Sequence, residues 1–292
     1  VDGEKALEFV NAQNDVTLKE LSAENEYQAI FDRSLEIYNS TERIAYPTIR
    51  GKNVYNFWKD KNHVRGIWRR CSLDSYKSGK PAWETLLDID ELSKKDDIKW
   101  VYKGSTGLYP DYDRFLIQLS KGGGDAIVTK EFDAGKKQFI ENGFFIDESK
   151  GSARYIDKNT LIVSTNYGEG TMTDSGYPLQ VKLWKRGTSI NDAQLIYQGE
   201  SSDAFMSAGY ILRDGKNKYT MISRYVTTFS SNQMVWMNEK IIKLDIPNDA
   251  RINGILKNQL VIQLKSDWII DKRRFKTGTL ISLNFTELIN GN

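Results

Sequence analysis

The chain has 292 residues, and its 41 lysines and arginines nearly balance its 39 aspartates and glutamates, which leaves a formal net charge of +2. A dedicated nucleic-acid binder depends on a large one-sided positive field, so this balance argues against that class. Hydrophobic residues make up 39% of the chain, enough to bury a core. No apolar run approaches the roughly 18 residues of a membrane span. We therefore expect a soluble globular chain without nucleic-acid or membrane partners.

The scarcest reactive residues are the single histidine, His63, and the single cysteine, Cys71. A zinc site of the Cys/His kind and an intrachain disulfide both require more such residues, so we expect neither a metal nor a cofactor. One cysteine leaves the compartment open between the cytoplasm and the bacterial periplasm. The chain begins with Val1 and shows no signal-peptide pattern, which favours a fragment of a longer protein.

Two amphipathic helices are predicted at the start of the chain. In residues 4–21, apolar side chains recur at spacings of three and four, and neither Gly nor Pro interrupts them. Ser22 is expected to cap a second helix that stops near Asn39. The apolar face of that helix comprises Tyr27, Ile30, Phe31, Leu35 and Tyr38.

After Tyr46 the pattern changes to short apolar or alternating runs separated by turn residues, which is typical of strands. Ten such runs are predicted as strands: residues 54–58, 67–71, 115–119, 126–130, 161–165, 181–184, 219–222, 234–237, 260–264 and 280–283. No segment of comparable helical length follows residue 46. A parallel sheet, which needs crossover helices, is therefore not expected.

Similar strand blocks recur along this region. Residues 112–119, 157–164 and 257–264 each combine a polar turn with an apolar strand, and less similar blocks begin at Val54 and Tyr219. Their spacing of roughly 40 to 60 residues is the length of a four-stranded propeller blade. The pattern predicts a mainly β fold, a β-propeller of about five blades preceded by two N-terminal α-helices. The alternative is an irregular β-sandwich.

Motifs for nucleophilic catalysis are missing from the sequence. No G-x-S-x-G nucleophile elbow occurs, and the serine contexts at residues 104–107 and 187–191 fail its spacing. His63 is expected in a hairpin turn and Cys71 inside an apolar strand, where ordinary structural roles explain both. The glycines at residues 122–124 are expected to connect two strands, because no helix follows to bind a phosphate.

Polar loops are the remaining candidates for a site. The loop at residues 166–178 is long, and long loops more often carry function. Five carboxylates fall in or near predicted turns: Asp111, Asp113, Asp157, Glu169 and Asp174. Some five-bladed propellers are glycosidases that use two or three acids at the axis, although aspartates are also ordinary turn residues. The charge runs at residues 94–97 and 271–274 are expected at solvated hairpin tips.

A family resemblance emerges from several segments together with the opening helices. The segments are residues 46–51 (Tyr-Pro-Thr-Ile-Arg-Gly), 54–58, 65–70, 83–88, 174–178, 182–187 and 265–268. They resemble the N-terminal region of prolyl oligopeptidase-family serine peptidases, with the most specific part between Arg50 and Asp88. The similarity spans nearly the whole chain and is closest to the bacterial prolyl oligopeptidase-like branch.

The resemblance implies that one domain controls substrate access and another carries out catalysis. In that family, a helical arm packs on a C-terminal α/β-hydrolase domain, and a seven-bladed propeller covers the active site and admits only short peptides. The family's catalytic serine, aspartate and histidine lie in the C-terminal domain and have no counterpart here. We expect residues 1–44 to form the helical arm and residues 45–292 a propeller region that stops before ring closure. Its exposed edge strands would favour self-association.

The sequence thus predicts the substrate-gating, non-catalytic propeller region of a prolyl oligopeptidase-like serine endopeptidase. Its expected partners are short peptides and the hydrolase domain outside this chain, and the chain alone should be inactive. The alternative is a self-contained five-bladed propeller that binds or cleaves sugars, and a third class is a scaffold for protein partners. No catalytic, cofactor-binding or metal-binding residue is assigned.

Overall fold

The structure is a computed structural model that describes residues 3–291. The chain divides into two compact units. The first unit combines the chain up to Thr48 with Val54–Asp90, and the second combines Ile49–Asn53 with the chain from Glu91 onward. No helix in residues 3–291 has both the length and the apolarity that a membrane span requires.

The first unit opens with the two predicted helices, α1 (Glu4–Leu21) and α2 (Tyr27–Asn39). Ser22 lies at the C-terminal cap of α1, so the expectation that it caps α2 was wrong, and Glu26 precedes the first turn of α2. Neither helix buries a residue. Their exposed large apolar residues are Leu7, Phe9, Val10, Val16, Leu18, Leu21, Ile30, Phe31, Leu35, Ile37 and Tyr38. Helices of this length gain most of their stability from packing an apolar face, so we expect another surface to cover these apolar side chains.

One sheet, here called sheet I, completes the first unit. Its strands are β2 (Asn53–Asp60), β3 (His63–Ser72) and β4 (Glu84–Asp88), and the short helix α3 (Leu73–Lys77) connects β3 to β4. The short strand β1 (Thr48–Arg50) lies where the chain passes between the two units. On sheet I, the ring of Trp68 stacks on Tyr55 with 5.4 Å between centroids, and both side chains are buried.

The short helix α4 (Ile89–Asp96) leads from the first unit into the second, which continues as four sheets in chain order. Sheet II contains β5 (Trp100–Gly107), β6 (Arg114–Lys121), β7 (Ile127–Asp133), β8 (Gln138–Phe139) and β9 (Phe145–Ser149). Sheet III contains β10 (Ser152–Asp157), β11 (Thr160–Ser164), β12 (Gln180–Lys185) and β13 (Gln194–Gln198), with a 3-10 turn (Ile190–Asp192) before β13.

The remaining two sheets follow the same antiparallel pattern. Sheet IV contains β14 (Phe205–Ser207), β15 (Ile211–Asp214), β16 (Asn217–Tyr225), β17 (Ser231–Met237) and β18 (Lys240–Lys243). Sheet V contains β19 (Arg251–Leu256), β20 (Gln259–Gln263) and β23 (Leu280–Asn284), and helix α5 (Phe285–Ile289) follows it. Between β20 and β23 the chain inserts a separate hairpin of β21 (Trp268–Ile270) and β22 (Arg273–Phe275).

Successive sheets of the second unit pack face to face. One apolar core joins sheets II and III, a second joins III and IV, and a third joins IV and V. The strands at one edge of neighbouring sheets also meet, since β5 lies against β10 and β15 lies against β19. In sheet IV this edge is shared by β14 and β15, because both pair with β16. Antiparallel sheets that stack in chain order with their first strands adjacent form the blades of a β-propeller. The alternative of an irregular β-sandwich was therefore wrong.

Strand β11 shows why the predicted runs were apolar on both faces. Leu161 and Val163 point into the core with sheet II, whereas Ile162 points into the core with sheet IV. All three side chains are completely buried. A strand covered on both faces reads as a continuous apolar run and loses the alternation of a half-buried strand.

The predicted repeat corresponds to a structural position. All ten predicted runs overlap strands, and the five predicted blocks lead into β2, β6, β11, β16 and β20, the last four of which are second in the hydrogen-bonded strand order of sheets II to V. The hairpin expected at residues 271–274 is present between β21 and β22. The one expected at residues 94–97 was wrong, because α4 ends there. Lys94 and Lys95 lie exposed in its last turn, where they complement the helix dipole.

Candidate functional site

A cavity of about 380 Å³ lies in the second unit. It is lined by residues of β1, β10 and β15, by the end of β5 and by the loop that follows β5. Three arginines line it, and we call it the cationic cavity: Arg50 from β1, Arg154 from β10 and Arg213 from β15. Its remaining walls include Tyr109 and Tyr112, which lie between β5 and β6. These residues lie on or beside β1, β5, β10 and β15, which we call the inner strands, and they bring together charged and aromatic side chains from distant parts of the sequence.

Each of the three arginines is half-buried, and its position is fixed by neutral groups. The guanidinium carbon of Arg213 lies 4.0 Å from the centre of the Tyr109 ring, and that of Arg50 lies 5.9 Å from the Tyr112 ring. Arg154 donates from Nη1 to its neighbouring carbonyl at 2.8 Å and approaches the hydroxyl of Thr106 at 3.5 Å. Within residues 3–291, no carboxylate forms an ion pair with any of these arginines.

The aromatic wall of the cationic cavity depends on a glycine. A Cβ atom added to Gly107 would lie 2.6 Å from the Tyr112 ring and 2.8 Å from the Phe115 ring. Only a residue without a side chain lets the Tyr112 ring pack this closely against the end of β5. Nearby, burial raises the pKa of Tyr102 to about 12, although a hydrogen bond with Ser105 and the charge of Arg50 oppose that rise. Tyr102 is therefore a neutral hydrogen-bonding group at physiological pH.

A second charged cluster lies beneath the surface and is fully paired. Glu131 on β7 is only 1% exposed, and Arg186 holds it through two bonds, Nη1 to Oε2 at 2.7 Å and Nη2 to Oε1 at 2.8 Å. The hydroxyl of Tyr155 and the backbone N–H of Phe144 donate to the same carboxylate at 2.9 and 3.0 Å. Burial acts to raise the pKa of Glu131, but these bonds outweigh it and hold the pKa below its usual value. This network joins sheets II and III and serves structure.

His63 has a local structural partner. It begins β3 immediately after the predicted hairpin turn, and its Nδ1 lies 3.0 Å from Oδ1 of Asp60. The same carboxylate accepts the backbone N–H groups of Asn62 and His63. Burial tends to raise the pKa of Asp60, yet the hydrogen bonds from Asn62, His63 and Trp58 lower it below the usual range. The arrangement closes a β-turn.

The other residues singled out in the sequence also have structural roles. Cys71 is buried in β3, and burial raises the pKa of its thiol, which makes it a poor nucleophile. The glycines at residues 122–124 connect β6 to β7 as expected, and Gly122 and Gly123 have φ values of +66° and +98°. Hydrogen bonds hold the loop at residues 166–178 internally and to the segment before β14. For example, Thr171 Oγ1 donates to the carbonyl of Gly168, and Ser175 Oγ donates to the carbonyl of Ala204 at 2.8 Å.

The five turn carboxylates are not brought together. Asp157 accepts the backbone N–H of Asn159 in a turn, and the backbone N–H of Asp174 donates to the carbonyl of Ser201. In the part of the chain that the structure describes, no group of three or more His, Cys, Asp or Glu side chains could hold a metal ion. The residues around the cationic cavity were missed in the sequence, because each arginine follows a different turn or strand and shares no local motif.

Comparison with known proteins identifies the family. Residues 1–264 match the family model described as the prolyl oligopeptidase N-terminal beta-propeller domain. The uncharacterized peptidase y4nA of Sinorhizobium fredii is 37% identical over 97% of this chain, and the uncharacterized peptidase RP174 of Rickettsia prowazekii is 32% identical over 98% of it. The chain spans only 40% and 42% of the lengths of these two relatives. Nothing among these findings supports a glycoside hydrolase.

Solved structures agree with this assignment. A post-proline cleaving enzyme from Rickettsia typhi superposes with a TM-score of 0.89 at 32% identity, covering 99% of this chain and 44% of that one. Oligopeptidase B from Leishmania major, at 13% identity, shares the fold with a TM-score of 0.64 over 89% of this chain and 36% of its own. The stacked antiparallel sheets, the family model and the relatives thus lead to one conclusion: the chain belongs to the prolyl oligopeptidase family, whose N-terminal β-propeller domain it carries.

Proposed function

We propose that this chain is the substrate-gating, non-catalytic propeller region of a prolyl oligopeptidase-like serine endopeptidase that cleaves short peptides. The observation that carries the proposal is the cationic cavity on the inner strands of a propeller of this family. A cavity of about 380 Å³ has room for a few residues of an extended peptide, whereas a folded protein cannot enter it. Size selection at the propeller therefore follows from the space that the inner strands leave open.

The partner of the chain is a C-terminal α/β-hydrolase domain that supplies the serine, aspartate and histidine. Support comes from the greater length of the relatives, which are named peptidases, and from helices α1 and α2. These helices bury no residue and expose apolar side chains such as Leu18 and Phe31. Residues 1–44 act as the arm that docks on this domain, and residues 45–292 act as the gate. Self-association through uncovered strand edges stays a prediction that sedimentation of the chain tests.

The gate is tested by filling the cationic cavity in the peptidase that contains this chain. Cys71, the one cysteine of these 292 residues, is buried, and accessible cysteines of the peptidase outside this chain are first replaced by serine, so a cysteine introduced at Thr106 can be modified selectively with a maleimide carrying a bulky polymer. We expect modified Thr106→Cys to hydrolyse a proline-containing pentapeptide at least tenfold more slowly than the unmodified variant. The matched control is Lys136→Cys with the same polymer, since residue 136 is exposed in the turn before β8.

Two results would contradict the proposal. Unchanged hydrolysis after modification at residue 106 would mean that peptides do not pass the cavity. Turnover of the pentapeptide by the 292-residue chain alone, at a rate that survives repeated purification, would mean that the chain holds catalytic groups of its own.

A further inference from the structure

We propose that the cationic cavity recognises the C-terminal carboxylate of the short peptides that reach it. This inference rests on the proposed function and deepens it, because it names the chemical feature of the substrate that the gate selects. The site consists of the guanidinium groups of Arg50, Arg154 and Arg213, with Tyr109 and Tyr112 beside them. These three arginines differ in their partners from several other half-buried arginines of the chain.

Several half-buried arginines elsewhere in residues 3–291 are matched by carboxylates. Arg186 holds Glu131, Arg224 holds Asp203 through bonds of 2.8 and 3.1 Å, and Arg70 holds Glu84 at 2.8 Å. The three arginines of the cavity contact two tyrosine rings, one hydroxyl and one carbonyl, none of which carries negative charge. Removing a cation from water without a counter-charge is costly, so three such cations around one space favour an anion between them.

The shape of the guanidinium group narrows the choice of anion. Its planar fork of N–H donors matches the two oxygens of a carboxylate or of a phosphate, and paired bonds of this kind are about twice as strong as neutral ones. Arg213 and Arg50 also hold their forks against tyrosine rings, which limits the side-chain entropy lost on binding. Both oxyanions therefore satisfy the electrostatics of the site.

The walls of the cationic cavity favour a carboxylate that belongs to a peptide. Tyr109 is 45% exposed, and the cavity also includes Ile211, so flat and apolar surfaces lie beside the cations. A bare phosphate would leave these surfaces wet, whereas the last side chain of a peptide would cover them. The volume of about 380 Å³ suits a terminal residue and its neighbour. The combination of cations with aromatic walls thus points to a peptide end.

The experiment compares two forms of one peptide by calorimetry on the 292-residue chain. The probe is an N-acetylated, proline-containing tetrapeptide, prepared as the free acid and as the C-terminal amide. We expect the free acid to bind at least tenfold more tightly than the amide. Arg154→Gln and Arg213→Gln should each weaken binding of the free acid about tenfold and leave binding of the amide unchanged, because each removes a charge-assisted hydrogen bond.

The matched control is Arg273→Gln. Arg273 is exposed on β22, lies 4.9 Å from the ring of Phe275 and has no ion pair within the described residues, so it shares the chemistry of the cavity arginines without their location. Its substitution should leave both affinities unchanged. Arg213→Lys, which keeps the charge and loses the fork, should bind the free acid with an intermediate affinity. Circular dichroism and thermal melting of every variant identify any that fails to fold.

The outcomes separate this inference from its rivals. Equal affinities for acid and amide, or equal losses in Arg273→Gln, would overturn it. Inorganic phosphate is titrated alone and as a competitor: arginine-dependent phosphate binding without any preference for the free acid would assign the cavity to an inorganic oxyanion and would also overturn it. Calorimetry measures binding without hydrolysis, so its result is independent of the gating test at residue 106. Equal binding of acid and amide would overturn this inference and leave the gating proposal standing, whereas unchanged hydrolysis after modification at residue 106 would overturn the gating proposal alone.

Discussion

The ion pair between Glu131 and Arg186 allows the energetics of the fold to be tested at one position. Arg186→Met keeps an unbranched, mostly apolar side chain but lacks the guanidinium group, whose carbon lies 4.3 Å from the centre of the Phe144 ring. The substitution removes two of the four hydrogen bonds to a carboxylate that is 1% exposed. Breaking a buried pair by removing one partner costs about 3–5 kcal/mol. Arg114, at 3.7 Å from Oε1 of Glu131, remains and favours the lower end.

The expected loss is therefore about 3 kcal/mol in the free energy of unfolding at pH 7, measured by urea denaturation. The folded-state pKa of Glu131 lies below its unfolded value, so the stabilisation by the pair is complete above the unfolded pKa and is lost as pH falls through the folded pKa. The difference between wild type and Arg186→Met should consequently shrink as the solution is acidified below about pH 4.

A control and a double-mutant cycle complete this test. Arg274→Met removes an exposed arginine paired with Asp267 and should leave the denaturation midpoint unchanged. Adding Glu131→Gln to Arg186→Met should recover part of the loss, because the buried carboxylate charge is then removed together with its main partner. A loss below about 1 kcal/mol in Arg186→Met, or one that does not depend on pH, would refute the reasoning that a buried carboxylate needs this partner.

Three further predictions concern single positions. Leu161→Ala should cost about 3 kcal/mol in urea denaturation, since the side chain is completely buried between two sheets, and a cost below about 1 kcal/mol would contradict that packing. Gly209 and Gly215 both have φ values near +58°, but only at Gly209 would an added Cβ clash with the backbone oxygen of Met221. Gly209→Ala should therefore lower the melting temperature much more than Gly215→Ala, and equal shifts would contradict the clash. His63→Ala should leave peptide hydrolysis by the containing peptidase unchanged, and a loss of activity with retained folding would reveal a role that we have missed.

The sequence was informative where burial imposes a pattern. Strands such as β11 were predicted because both faces meet apolar cores, and the helices α1 and α2 were predicted from their periodicity. The inner strand β10 was missed, because Ser152, Arg154 and Asp157 break its apolar residues into runs of at most two and Arg154 faces the cavity. The short helix α4 was missed because eight residues rich in charge show little periodicity.

The candidate site could not be predicted from local sequence patterns, for a related reason. Arg50, Arg154 and Arg213 lie on three strands that are distant in the chain and meet only through the stacking of successive sheets. A lone arginine in a strand has no signature that distinguishes a ligand-binding role from a solvated one. The family resemblance identified the propeller, but the placement of Arg154 and Arg213 required the strand register and the packing of sheets III and IV, and that of Arg50 required the position of β1 beside the cavity.

The two-sided burial of β11 has a consequence for how the propeller can open. Because Leu161 and Ile162 belong to different cores, sheet III cannot detach without exposing its apolar surfaces toward sheet II and sheet IV at the same time. Local unfolding proceeds in cooperative units, and the cost of opening rises with the apolar surface that becomes exposed to water. Sheets II, III and IV therefore behave as one unit in any breathing motion. Under the proposed gating role, a peptide that enters between these sheets would therefore have to fit the space that the three packed sheets leave, without their separating.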